Sequence, residues 1–239
     1  MRFVVTVIAA LAASPPAYAL VHESSLPARA REAPAPAPAP AYEVLRVRSG
    51  QLVALRARPG GKVLTRLDAR TEFGSPQTLA VVARRGEWAR VVTSALPNGR
   101  HAWVAVDSSV SVRRTRVTVT LDLSARRLVV RKDGAVVRRV AVGIGRPSSP
   151  TPTGRFAVTD KLPGGRYGPY YGCCIVALSA HQPNLPAGWT GGDRIAVHGT
   201  NNPASIGAAS SAGCPHAGEA DMRALMESVP LGAPVFVRS

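Results

Sequence analysis

Aromatic residues are scarce in this 239-residue chain, at 5%, so a folded core has to be built from Val, Leu, Ala and Ile. Acidic residues are few as well: 14 Asp and Glu stand against 30 Lys and Arg, a formal net charge of +16. That excess raises nucleic acid as a partner. The arginines, however, are scattered singly and in pairs through β-like segments, with no basic helix and no aromatic-basic RNA motif, so no nucleic acid is expected. Anionic polymers outside the cell, or simply a basic solvated surface, fit the charge better. Only three cysteines occur, Cys173, Cys174 and Cys214, an odd number that leaves at least one thiol free and gives no disulfide framework. Sequence neighbours seldom bridge each other, because the bond prefers Cα atoms ~4.4 to 6.8 Å apart. That leaves a conditional bond from Cys173 or Cys174 to Cys214, or unpaired packing. The histidines, His22, His101, His181, His198 and His216, show no ligand spacing, and there is no Cys-x-x-Cys pair; neither a metal nor another cofactor is expected.

Long apolar runs are also missing. The run Phe3 to Ala13, behind Met1-Arg2, falls well short of the ~20 residues of a spanning helix. The small-residue pattern Ala17-Tyr18-Ala19 follows it, so residues 1–19 read as a secretory signal cleaved after Ala19, leaving a mature chain without a transmembrane segment. Residues 20–43, with the Ala-Pro alternation from Ala33 to Pro40, read as an extended, semi-rigid tether, because proline fixes φ and removes the amide donor.

What is present in quantity is turn chemistry: 21 prolines and 22 glycines punctuate short apolar runs, which argues for a mainly β protein. Over residues 44–113 the runs Gln51 to Arg56, Lys62 to Leu67, Leu79 to Ala83, Trp88 to Thr93 and Ala102 to Val106 are separated by turns such as Arg58-Pro59-Gly60-Gly61 and Leu96-Pro97-Asn98-Gly99. Such spacing predicts a small β-barrel. The Pro-Gly-Gly turn, Gly86-Glu87-Trp88-Ala89-Arg90-Val91 and Ala102-Trp103-Val104 resemble bacterial SH3-like domains, although Ala102 stands where glycine is more usual. The resemblance implies either a module that binds wall polymers or peptides, or a passive spacer.

A second β-rich unit is expected over residues 116–239. Val117, Val119, Leu121 and Leu123 alternate with polar residues, the period of a half-buried strand. Leu128 to Arg131 and Val136 to Val142 flank Asp133-Gly134, a hairpin signal. Further strands are expected at Arg155 to Asp160, at Arg194 to Val197 and at Val235 to Val237. Met222, Leu225, Met226 and Val229 predict one short helix near the C-terminus, with Glu219 and Asp221 in its first turn. Leu162 to Gly172, rich in Gly, Pro and Tyr, reads as a loop beside a cleft.

The strand at 194–197 delivers His198-Gly199-Thr200, and sixteen residues after His198 comes Cys214, set between Gly213 and Pro215 in a run of small residues. Taken alone, Cys214 is either a buried inert thiol or a nucleophile held by backbone geometry. The wider pattern favours the second. Val119-Thr120-Leu121-Asp122-Leu123-Ser124, Thr151-Pro152-Thr153-Gly154-Arg155-Phe156, Ile195-Ala196-Val197-His198-Gly199-Thr200-Asn201, Ser205-Ile206-Gly207, Ser211-Ala212-Gly213-Cys214 and Val229-Pro230-Leu231-Gly232-Ala233-Pro234-Val235 occur in order. Together they resemble the YkuD-type L,D-transpeptidase catalytic domain over roughly residues 116 to 238.

The resemblance implies a β-sandwich in which Cys214 is the nucleophile and His198 its base. The Gly199 carbonyl would orient the imidazole, and amides around Gly213 and Cys214, with Ser211 beside them, would form the oxyanion site. Tyr167 and Tyr170 would belong to a lid, and with Thr200, Asn201 and His216 would contact substrate. The substrate implied is a peptidoglycan stem tetrapeptide, joined into a 3-3 crosslink outside a bacterial membrane, in the cell wall or a periplasm-like space. Carbapenem-type β-lactams are implied as inhibitors. Water as acceptor would instead make an L,D-carboxypeptidase; a non-catalytic wall-binding protein and a general thiol hydrolase are the other readings. The chain departs from the family beside the nucleophile, where Ala212 replaces a histidine and Pro215-His216 replaces a hydrophobic-Arg pair. His216 is then either a pH-dependent partner for a substrate carboxylate or a surface residue.

Overall fold

The computed structural model describes residues 40–239. The expected signal segment and most of the expected tether lie outside the described residues. The last two tether residues, Tyr42 and Glu43, already belong to the first strand. Among the described residues no helix is long and apolar enough to cross a membrane.

Seven short strands come first: β1 (Tyr42–Val47), β2 (Val53–Arg56), β3 (Val63–Leu67), β4 (Thr78–Arg85), β5 (Trp88–Val92), β6 (Ala102–Ala105) and β7 (Val110–Thr115). They form one antiparallel sheet in the order β3-β2-β6-β5-β4-β1-β7. In β2 and β6 fully buried and half-buried residues alternate, so Val53, Leu55, Ala102 and Val104 turn inward with Leu45, Leu79 and Val91 to make a local core without a ring in it.

The remaining elements are β8 (Val117–Asp122), β9 (Arg127–Lys132), β10 (Ala135–Ala141), β11 (Ile144–Gly145), β12 (Gly154–Pro163), β13 (Cys174–His181), β14 (Arg194–His198), β15 (Ala209–Ser211), α1 (Glu219–Ser228) and β16 (Pro234–Arg238). One ladder runs β10-β9-β8-β16-β12-β13-β14, antiparallel except where β16 lies parallel to β8. Val119, Leu121, Leu128 and Val130 from one end of the ladder share a core with Val176, Leu178, Ile195 and Val197 from the other, so the ladder folds over on itself. Met222 and Leu225, two of the positions that predict the helix, plug α1 into that core. Each such fully buried side chain contributes about 1.5–3 kcal/mol of transfer free energy. β13 is a strand beyond those expected: seven of its eight residues are buried, so it shows no polar-apolar alternation to read.

The two sheets meet directly. Ala80 and Val92 pack on Ala157, and the Asn98 side chain brackets the His181 backbone, donating to its carbonyl at 2.6 Å and accepting from its amide at 2.8 Å.

Candidate active site

His198 ends β14, where its backbone is tied on both sides to the loop after Cys214: its amide donates to the Pro215 carbonyl at 3.1 Å and its carbonyl accepts from the Ala217 amide at 2.9 Å. That pairing brings histidine and cysteine, sixteen residues apart in sequence, to one place. The next residue is a glycine in a tight place. A Cβ on Gly199 would run into the Glu219 carboxylate and press on the Gly172 backbone, because two stretches of main chain nearly touch there.

The His198 ring is fully buried. Its Nδ1 lies 2.6 Å from the Gly199 carbonyl oxygen. A carbonyl can only accept, so Nδ1 carries the proton and Nε2 presents a lone pair. That Nε2 is buried and has no hydrogen-bond partner among the described residues. Burial holds the imidazole down to a pKa of about 4; the Gly199 bond opposes this and the neighbouring His216 adds to it.

Cys214 has a free thiol. The Ala196 amide donates to its Sγ at 3.4 Å, and the thiol faces the Arg194 carbonyl at 3.8 Å. Burial pushes the thiol up to a pKa of about 11, offset in part by the Ala196 amide. At neutral pH the resting pair is therefore thiol and neutral imidazole, not an ion pair.

The loop that carries Cys214 is held by bonds that the sequence does not signal. Gly213 has φ +126°, and a side chain there would strike the Gln182 amide. Gln182 Nε2 donates to the carbonyls of Pro150 and Ala212, each at 3.0 Å, and Thr151 Oγ1 donates to the Gly213 carbonyl at 2.7 Å. Ser211 Oγ accepts the Gly213 amide at 3.0 Å. That amide is thus already used, and of the two expected oxyanion donors only the Cys214 amide is left free of a partner among the described residues. Thr151 opens one of the sequence motifs, whereas Gln182 belongs to none of them.

Cys214 and His198 line one cleft of about 130 Å3, together with Tyr167, Tyr170, Tyr171 and Trp189. Thr200 and Asn201, expected to contact substrate, do not reach it. Thr200 Oγ1 instead accepts the Asn202 amide at 3.0 Å within its own turn, and Asn201 is exposed on the surface.

The surface reading of His216 does not hold. It is not a surface residue, being 3% exposed, and it does not line the cleft. Its Nδ1 meets Ser205 Oγ at 3.0 Å and its Nε2 meets the Tyr170 hydroxyl at 3.1 Å, while burial lowers its pKa. With both ring nitrogens engaged, the imidazole buttresses Tyr170 and the His198 ring, whose centroid is 4.7 Å away. The cysteine pair also differs from expectation: Cys173 and Cys174 are bonded to each other, not to Cys214. The Cys173 amide is held by the Glu219 carboxylate at 2.9 and 3.1 Å, which locks this hairpin end against α1. Among the described residues no group of His, Cys, Asp and Glu is arranged to hold a metal ion.

The buried histidines make stability depend on pH. The folded chain holds His198 neutral down to about pH 4, whereas an unfolded chain protonates near 6.5, so the unfolded state binds more protons between those values. The contribution is complete above about pH 6.5 and is lost as pH falls toward 4; by pH 5 the loss is on the order of 2 kcal/mol. His216 acts in the same direction. Urea midpoints at pH 7 and pH 5 measure this. A midpoint that does not move would contradict the buried neutral imidazole, and His198→Gln should reduce the drop.

Comparison with known proteins bears on these residues. A family model described as the YkuD L,D-transpeptidase catalytic domain matches residues 116–237. The YkuD protein of Bacillus subtilis (strain 168) is 30% identical over 121 residues, covering 50% of this chain and 64% of its own length. The YkuD protein of Bacillus licheniformis is 29% identical over 121 residues, with the same shares. The chain therefore spans somewhat less than two thirds of these relatives. Among solved structures, an L,D-transpeptidase from Mycobacterium smegmatis superposes with a TM-score of 0.42 at 19% identity, covering 68% of this chain and 90% of that one. L,D-transpeptidase 3 from Mycobacterium tuberculosis, in complex with a faropenem-derived adduct, gives 0.43 at 15%, covering 68% and 91%.

Proposed function

Since the chain belongs to the L,D-transpeptidase (YkuD) catalytic-domain family through residues 116–237, we propose that it is an exported cysteine L,D-transpeptidase that crosslinks peptidoglycan stem peptides. The observation that carries the reading is the orphaned Nε2 of His198, its tautomer set by the Gly199 carbonyl, in the same cleft as the free thiol of Cys214.

The chemistry follows from that pair. The S–H turns from the Arg194 carbonyl to Nε2, and the proton transfers as Sγ attacks the carbonyl carbon of the donor tetrapeptide. Because both groups rest neutral, proton transfer and attack proceed together instead of from a stored thiolate. The Cys214 amide donates to the developing oxyanion. Nε2 then hands the proton to the departing D-alanine amine as the C–N bond breaks, leaving a thioester on Sγ. An amine of a neighbouring stem attacks the thioester, its proton passes through Nε2 to sulfur, and a 3-3 crosslink results. Tyr167 and Tyr170 flank the donor.

Residues 42–115 act in this proposal as an SH3-like unit that carries the catalytic unit, and the basic surface favours anionic wall polymers as surroundings. Incubation with tetrapeptide-bearing muropeptides tests the reading, with mass analysis of products. Dimers that have lost D-alanine are expected. Tripeptide monomers alone would mean that water is the acceptor, a carboxypeptidase, and no product at all would leave a wall-binding protein. A carbapenem should add its full mass to the protein in the same experiment, since its strained carbonyl meets the same thiol; an unmodified mass after prolonged exposure counts against a working nucleophile.

A further inference from the structure

The loop between β3 and β4 reaches out of the first sheet into the catalytic unit. Thr71 Oγ1 donates to the buried carboxylate of Asp160 in β12. Glu72 pairs with the guanidinium of Arg194. Phe73 packs on the apolar cluster of Leu162, Ile175, Ala177 and Ala196 and lines the cleft that holds Cys214. Three successive residues of one loop thus make three different contacts with the other unit. A unit that merely carried the catalytic domain would not need to put a ring into the cleft.

The contacts lead straight to the nucleophile. The Arg194 guanidinium lies over the Phe73 ring at 5.8 Å and is held by Thr159 Oγ1 at 2.8 Å and by the Leu178 carbonyl at 2.6 Å. The Arg194 backbone carbonyl faces the Cys214 thiol, and the Ala196 amide donates to Sγ. On the other side a chain of rings joins the loop to the base. Phe73 meets Tyr167 edge-on at 6.4 Å, Tyr167 meets Tyr171 at 6.2 Å, and Tyr171 meets His198 at 4.8 Å. Glu72 pairs with Arg194, and with Phe73, Leu162, Ile175, Ala177 and Ala196 together this part of the wall is largely apolar.

We propose that Phe73 is a specificity-determining residue of the cleft, supplied by the N-terminal unit, and that it packs against the aliphatic part of the acyl donor next to the carbonyl that Cys214 attacks. The identification of the donor rests on the function proposed above; the wall itself does not. The N-terminal unit is then part of the enzyme's binding site.

Two measurements on the full chain test it, using Phe73→Ala and the partial replacement Phe73→Leu, with Tm confirming that each is folded. The first is alkylation of Cys214 by a bulky flat reagent, pyrenyl maleimide, relative to small iodoacetamide. Removing the wall should raise that ratio several-fold in Phe73→Ala, with Phe73→Leu close to wild type. The second is turnover of a tetrapeptide donor, where Phe73→Ala should raise KM about tenfold with kcat within about twofold, the pattern of lost binding rather than lost chemistry. An unchanged alkylation ratio in a folded Phe73→Ala protein overturns the wall. A raised ratio with unchanged KM overturns its assignment to the donor, as does a parallel collapse of kcat and Tm. A wild type that turns over no muropeptide counts against the proposed function, and the alkylation ratio still decides for or against the wall.

Discussion

Replacing Cys214 by alanine should lower turnover by roughly four or more orders of magnitude while leaving the fold in place. The sulfur is the only free thiol among the described residues, and its hydrogen-bonding contacts are one amide and one carbonyl. The loop around it is held by other groups: the Gln182 bonds to Pro150 and Ala212, and the Thr151 bond to Gly213. Removing Sγ therefore deletes the nucleophile without deleting what shapes the turn, and a small change in Tm is expected. Stem-peptide turnover and the carbapenem mass adduct should vanish together. Normal turnover by a folded Cys214→Ala protein would end the assignment of the nucleophile, since no second thiol among the described residues is free to replace it.

His198→Gln should slow acylation by two or more orders of magnitude and leave the thiol in place. Glutamine is the informative replacement, because alanine at a fully buried position would open a hole in the core and confuse catalysis with stability. With the thiol pKa near 11, almost none of Cys214 is ionised at pH 7, so acylation without a base should climb with pH across the alkaline range. The wild type, with a base that stays neutral down to about pH 4, should keep its rate far into mildly acidic solution. Single-turnover acylation from pH 5 to pH 9 separates the two profiles. If His198→Gln acylates at the wild-type rate, the proton goes elsewhere. His216 would be a poor alternative, since both its nitrogens are occupied by Ser205 and Tyr170.

Much of this site is legible in the chain because its chemistry is concentrated in short runs with strong local constraints. Ile195-Ala196-Val197 reads as a buried strand that must present the following residue at its end, and Gly213 and Pro215 restrict the backbone on both sides of Cys214. The helix is visible because Met222 and Leu225 repeat at helical spacing, and the hairpin at Asp133-Gly134 because that pair favours positive φ; Asp133 has φ 52°. β13 is invisible for the opposite reason. Buried on both faces, it reads as a uniform small-apolar run with a cysteine pair at its start.

The residues that depart from expectation share a cause. His216 reads from sequence as either a carboxylate partner in place of an arginine or a surface residue, but its surroundings come from Ser205, Tyr170 and His198, elements up to 46 positions away. Thr200 and Asn201 come just after His198-Gly199, which suggests a shared cleft, yet the chain turns away after Gly199 and spends Thr200 on its own loop. The bond between Cys173 and Cys174 runs against the ordinary preference of disulfide geometry, which sequence spacing can only repeat.

The β character of both units and the family of the second are written in the order of the residues, because strand period, turn residues and motif spacing are all local properties of a chain. Folding adds the rest: which of the neighbouring residues share the cleft, which loop amide is left without a partner, what protonation states the thiol and imidazole adopt, and that Phe73 from the first unit lines the same cleft as the free thiol of the second. Those depend on burial and on contacts between residues more than a hundred positions apart, such as Glu72 with Arg194, and desolvation is a property of the assembled surroundings that no short run of residues contains.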